Sequence, residues 1–280
     1  MSLPVYIRAA ATPHAEAQDW AVRVIAAGGG VSSSTLKAVS RFCCAIDTAG
    51  IRASMYRLNL FAGSDLLSSL VPLYRGPTFG GTNLGNAIDA NTNFVPVDYR
   101  ERAGLKGNGT SYLNTGVGSN AIPSMFSSHI SLSATNMESI GAANQYIDFI
   151  GTFGGTSDTT FWLQNNSNVN RYAGLGSFSS FNFGFNATEA HMIGSRTSST
   201  LLTSYRSGVS IGTDGNISVN GRVSSPILVF NRASHTGPGP GGGHTRMTAR
   251  LYSFGTGLNA TQAAAFSAAV IQFNTALGRA

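Results

Sequence analysis

Trp162, Tyr172 and Tyr205, with Arg171, Arg196, Arg206 and the amide of Asn165, are the residues whose types best suit a sugar platform. An aromatic face stacks on a pyranose ring, while guanidinium and amide groups offer directed donors and acceptors to hydroxyls. These residues form the candidate glycan-binding set. The plainer reading of the same aromatics is burial in the core or against neighbouring subunits, and residue preferences favour it.

Catalytic chemistry finds less. Gly208-Val-Ser-Ile-Gly212 matches the Gly-x-Ser-x-Gly elbow, and Asp214 and His235 could be drafted as partners for Ser210. That elbow needs a strand-to-helix turn, however, and this copy reads as a β hairpin. Glycoside hydrolysis needs paired carboxylates, and the glutamates Glu16, Glu101, Glu138 and Glu189 have no acidic neighbour at a spacing of two or four. No catalytic residue is assigned, and the expectation is a protein that is not an enzyme.

Metal and cofactor chemistry is weaker still. Asp89-Ala-Asn-Thr-Asn93 has the alternating oxygens of a half calcium loop, but it lacks the glycine at position six and carries Arg100 where the closing glutamate belongs. Cys43 and Cys44 are adjacent in a helical pattern, where a disulfide is hard to form, and read as small core residues. His129, His191, His235 and His244 fall at no ligand spacing. No metal and no cofactor is expected.

Charged residues make up 11% of the 280 positions, with 34 glycines and 42% hydrophobic residues. Such a chain can sustain a core but has few charges to keep it monomeric, which points to burial of surface in an assembly. The net charge of +6 comes from single Lys and Arg residues scattered from Arg8 to Arg279. They form no run of the kind a nucleic-acid footprint requires, so no nucleic acid is expected. No signal peptide and no apolar run of membrane-spanning length is legible, and no membrane insertion is expected.

The positioning elements follow from periodicity. Residues 14–27 place Ala17, Trp20, Ala21, Val24 and Ile25 on one helical face and stop at Gly28. A second helix starts from Ser33 or Ser34 as N-cap and carries Leu36, Val39, Cys43 and Ile46. Residues 56–61 alternate as a strand, residues 65–71 read as a short helix, and residues 75–93 read as a long surface loop or arm. Beyond Gly104, strands are expected at 128–134, 146–153, 159–164, 190–195, 201–206, 226–231 and 248–254. The chain finishes with a helix from Asn259 to about Leu277, where Asn259 and Gln262 make a capping-box pattern.

Gly107-Asn-Gly-Thr-Ser-Tyr-Leu-Asn-Thr-Gly116, Ser204-Tyr-Arg-Ser-Gly-Val209 and Ala249-Arg-Leu-Tyr-Ser-Phe254 occur in an order that resembles the concanavalin A-like lectin/laminin G jelly rolls over residues 104–277. The N-terminal part, with Asp19-Trp-Ala-Val-Arg-Val-Ile-Ala-Ala-Gly28 and Tyr56-Arg-Leu-Asn-Leu-Phe-Ala-Gly63, is similar to the leader of structural proteins of tailed bacteriophages and prophages. The resemblance implies a mainly β fold: an antiparallel jelly-roll β-sandwich with a short α-helical N-terminal region and a C-terminal helix. The expected division is a helical, possible anchoring region at 1–75, a linker at 76–103 and the lectin-like sandwich with its helix at 104–280. It also implies a virion component on the head or tail surface, a decoration or fibre-type protein. Such a component is assembled in the host bacterial cytoplasm and exposed on the released particle. Its partners would be other virion proteins, capsid or tail, and further copies of itself in a homo-oligomer. The alternative is a receptor-binding lectin that recognises host surface polysaccharide.

Overall fold

Apolar stripes and capping side chains set the helices α1 (Ala15–Ala26), α2 (Ser33–Thr48), α3 (Leu66–Ser69) and α4 (Ala260–Ala276). This is a computed structural model, and it describes residues 12–137, 146–155, 160–166, 170–175, 189–215, 220–233 and 245–279. In α1, Ala17, Trp20, Ala21 and Val24 are buried, whereas Ile25, expected beside them, is 65% exposed. The N-cap of α2 is Ser32, whose Oγ accepts from Thr35 N at 3.0 Å, one residue before the expected start. Cys43 is buried but Cys44 is exposed, so only one of the adjacent cysteines is a core residue. The capping box of α4 forms as its pattern predicts, with reciprocal 3.0 Å bonds between Asn259 and Gln262.

The strands are β1 (Met55–Asn59), β2 (Ala90–Thr92), β3 (Tyr99–Arg100), β4 (Gly104–Lys106), β5 (Tyr112–Gly118), β6 (Ser128–Thr135), β7 (Tyr146–Phe153) and β8 (Thr160–Asn166). They continue as β9 (Asn170–Leu175), β10 (Glu189–Ser198), β11 (Leu201–Arg206), β12 (Val209–Asp214), β13 (Pro226–Val229), β14 (Arg232–Ala233) and β15 (Thr248–Gly255). The first sheet runs β12-β11-β10-β6-β15-β4-β3, with β1 also paired to β15. The second runs β2-β5-β13-β7-β8-β9, with β14 beside β7. The pairings are antiparallel except that of β14 with β7. The fold is therefore mainly β, an antiparallel sandwich of jelly-roll type with a C-terminal helix.

Side chains alternate between faces along each strand, so each sheet contributes one set to the core. Ile130, Leu132, Met192, Leu202, Tyr252 and Phe254 of the first sheet meet Leu113, Phe149, Ile150, Phe161, Leu163 and Val229 of the second. A second apolar cluster lies on the other side of the first sheet. There Leu58, Ile193, Tyr205 and Leu251 pack under Trp20, Val24, Phe42, Phe266, Val270 and Phe273 of α1, α2 and α4. The architecture thus has three layers, and every residue of β15 is buried.

This arrangement crosses both expected boundaries. Residues of the 1–75 region complete the sheet, since β1 pairs Arg57 with Phe254 and Asn59 with Tyr252. The 76–103 segment contributes β2, paired with β5, and β3, paired with β4. It is pinned by Asp89, whose carboxylate accepts from Arg57 Nη2 at 2.6 Å, Asn59 Nδ2 at 2.8 Å and the Tyr252 hydroxyl at 2.8 Å. An unpaired buried charge is costly, so this network fixes the segment to the sheet instead of leaving it as a linker. Among the described residues no helix is long and apolar enough to cross a membrane.

Candidate functional site

The strand register divides the expected glycan set. Trp162 lies opposite Gly151 on one side and Gly174 on the other, and Gln164 lies opposite Asp148 and Tyr172. The side chains of Trp162, Asn165, Arg171 and Tyr172 lie outside the described residues, and the register alone places them. Asn165 and Arg171 pair with each other. On β7, Asp148 is fully buried, with Arg232 Nε 3.0 Å from one oxygen. Burial raises its carboxyl to about 7 against the pull of Arg232.

Two members of the set are structural. Arg196 is buried at the end of β10, where it donates to the carbonyls of Leu175 at 2.8 Å, Ser198 at 3.2 Å and Ser199 at 3.0 Å. Its guanidinium also sits 4.8 Å from the centre of the Phe126 ring. Tyr205 belongs to the apolar cluster beneath the helices, 4% exposed. Neither faces a ligand: Arg196 reaches toward the second sheet, to Leu175 O of β9, and the helices cover Tyr205. Arg206 is half-buried at the end of β11. Ser210 lies within the exposed edge strand β12, not at a strand-to-helix turn, and His235 lies outside the described residues. Asp89, the first position of the half calcium loop, has its oxygens committed to Arg57, Asn59 and Tyr252.

What the fold does assemble is an open groove of about 650 Å³ at the β3–β4 edge of the first sheet. Its walls come from Val97, Asp98 and Arg100, from Ala103, Gly104 and Lys106 to Asn108, and from Asn136, Arg246 and Thr248. The glycine-punctuated motif at 107–116 and the end of the expected linker thus meet here. Arg100, Lys106, Arg246 and Asn136 are all exposed, and among the described residues none of their side chains has a hydrogen-bond or ion-pair partner. Among the described residues the one carboxylate lining the groove is Asp98, whose Oδ2 accepts from Val95 N at 2.9 Å.

The groove stands on a braced backbone. Arg250 Nε donates to Ala103 O at 3.2 Å and Arg279 Nε to Glu101 O at 2.6 Å, holding the β3–β4 turn from below. Asn108 Oδ1 accepts from the amides of Thr110 and Ser111, both at 2.9 Å, and its Nδ2 donates to Asn93 O at 2.9 Å. Asn108 is therefore spent on loop geometry. Gly109 takes φ +89°, and a Cβ there would sit 3.2 Å from Arg246 Nε, so the bare glycine gives the guanidinium its place.

Sequence reasoning missed Arg100, Lys106 and Arg246 because they lie apart along the chain and form no basic run. The signal that bore on them was the Gly107-Asn-Gly109 turn beside Lys106, which marks a close backbone approach.

Elsewhere, His14, Glu16 and Cys43 bring three ligand-type atoms within 4.8 Å of one another. The Glu16 carboxylate is taken by Arg52 Nε at 2.7 and 3.0 Å, His14 Nε2 lies 2.9 Å from Asp47, and burial raises the Cys43 thiol to about 12. A protonated thiol and a paired carboxylate do not fit a metal.

No protein-family model matches the chain, and no curated protein matches it either. Solved structures do. A mutant of Trypanosoma rangeli sialidase displaying trans-sialidase activity aligns over 85% of this chain and 39% of its own, at a TM-score of 0.51 and 14% identity. The Trypanosoma rangeli sialidase aligns over 83% of this chain and 38% of its own at 0.48 and 14% identity. The ligand-binding domain of botulinum neurotoxin serotype D, in complex with N-acetylneuraminic acid, aligns over 77% and 51% at 0.49 and 10% identity. The likeness is one of fold. The chain spans about half or less of the length of each of these structures. The expectation that such a sandwich is not an enzyme is corrected here, because a sialidase is among the structures that share the fold.

Proposed function

We propose that this chain is a lectin-like protein that binds glycan in the groove at the β3–β4 edge. The observation that carries the reading is the groove itself: unpartnered cations and an amide on a braced sheet edge, within the volume range of small-ligand sites. Hydroxyl-rich ligands need both donors and acceptors, which Asn136 and Asp98 supply beside the cations. Val97, 73% exposed at the rim, offers an apolar contact for the C–H face of a ring.

The glycan reading therefore moves ahead of the assembly role expected first. A place on a phage particle, with virion proteins as partners, rests on the sequence resemblance alone and is kept as the setting in which such a groove would meet host polysaccharide. Binding of the full chain to a panel of immobilised glycans tests the proposal. Saturable binding that free sugar competes away, and that Arg100→Ala/Arg246→Ala removes, supports it. Binding of undiminished strength in that double variant would place the site elsewhere.

A further inference from the structure

We infer, on the basis of the glycan reading above, that the groove selects acidic glycans, with Arg246 and its neighbours Arg100 and Lys106 receiving a sugar carboxylate. The charge balance of the site comes first. Among the described residues three cations face the groove against one carboxylate, Asp98, which is already held by the Val95 amide. In a chain with 18 Lys and Arg, many arginines are structural: Arg57, Arg196 and Arg279 are buried, and Arg23 and Arg52 are paired with acids. The groove cations are not used in this way. Cations gathered without partners on a fixed edge create a local field that a neutral sugar does not need and an anionic one exploits.

The shape of the donors adds to this. A guanidinium presents a planar fork that matches a carboxylate in two parallel hydrogen bonds. Arg246 lies over Gly109, where the absence of a side chain leaves it room, and the Asn108 hydrogen bonds set that loop. Nucleic acid would also be attracted by the charge. Among the described residues, however, no aromatic side chain lines the groove for a base to stack on, and single strands are held by such platforms.

The test is titration of the full chain with oligogalacturonate, with the same oligomer methyl-esterified, and with a single-stranded oligonucleotide. The ester keeps the rings and removes the charge. The expected result is affinity for the acid about tenfold or more above the ester, as loss of a charge-assisted pair implies, and falling with added salt. Arg246→Gln and Lys106→Gln should each weaken the acid by about five- to tenfold and the ester by clearly less, so that the preference for the acid shrinks. Both side chains are exposed, and unchanged thermal unfolding of each variant shows that the fold is intact. Equal binding of acid and ester would overturn the inference and leave glycan binding standing, whereas no binding of either sugar would remove both. A preference for the acid that survives both substitutions, or tighter binding of the oligonucleotide, would also overturn it.

Discussion

Arg57 Nη2 donates to Asp89 Oδ1 at 2.6 Å, joining two side chains that are both closed off from solvent. Burial alone would lower the Arg57 pKa, but the Asp89 and Tyr252 contacts outweigh it and hold the guanidinium charged. The pair ties the first strand to the segment that leads into the groove. Asp89→Ala leaves a buried guanidinium uncompensated, and the expected loss is about 3–5 kcal/mol in urea unfolding. A loss below about 1 kcal/mol, the value of an exposed pair, would mean that water reaches Arg57.

Arg196→Ala and Tyr205→Phe separate structure from recognition. Removing Arg196 strands the carbonyls of Leu175, Ser198 and Ser199, each acceptor costing about 1–3 kcal/mol if it stays dry. Stability should fall while glycan affinity, measured on the folded fraction, is unchanged. A drop in affinity with stability intact would return Arg196 to the binding surface.

Acid should loosen the packing of α4 on the first sheet. His129 and His191 both lie against Phe266 of α4, and burial lowers them from 6.5 to about 4 and about 3. Because the unfolded chain takes up these protons first, the stability they contribute is complete above about pH 6.5. It falls as pH drops from there to about 4 for His129 and about 3 for His191. Each pK unit is worth about 1.4 kcal/mol. His191→Gln should flatten the fall in unfolding free energy between those limits, and a slope identical to wild type would show that His191 is solvated.

Asp148 works in the opposite direction. Its folded value of about 7 lies above that of the unfolded carboxyl, so the protonated form stabilises the fold at low pH and that contribution is lost as pH rises from about 4 through 7. Asp148→Asn should remove this decline, read as a smaller loss of stability between pH 5 and 8. If the decline persists in the variant, another group is responsible.

Much of the fold was legible because local rules and tertiary packing agree. Asn259 and Gln262 mark the start of α4, and the runs at 146–153 and 201–206 became β7 and β11 with the same bounds. The burial of both faces of the first sheet was not legible. Tyr205 has the amphipathic character of a surface aromatic, and only the helices packed over Ile193 and Leu251 make it a core residue. Arg196 carries a fork suited to hydroxyls, yet the same fork suits three backbone carbonyls at a strand end. The groove was hidden for a different reason. Lys106 and Arg246 meet only because β4 pairs with the start of β15, where Lys106 lies opposite Thr248.

The pairing of Met55 with Gly255 and of Asn59 with Tyr252 has a bearing on how the chain is made. During synthesis α1 and α2 emerge well before the strand that receives β1 and the helix that packs on α2. Until then Trp20, Val24 and Phe42 are covered only by one another and by residues up to Tyr74, without Leu251, Phe266, Val270 and Phe273. Contacts of such sequence separation are slow to form and leave sticky intermediates exposed. A ribosome stalled before β15 would therefore hold a nascent chain that depends on chaperones.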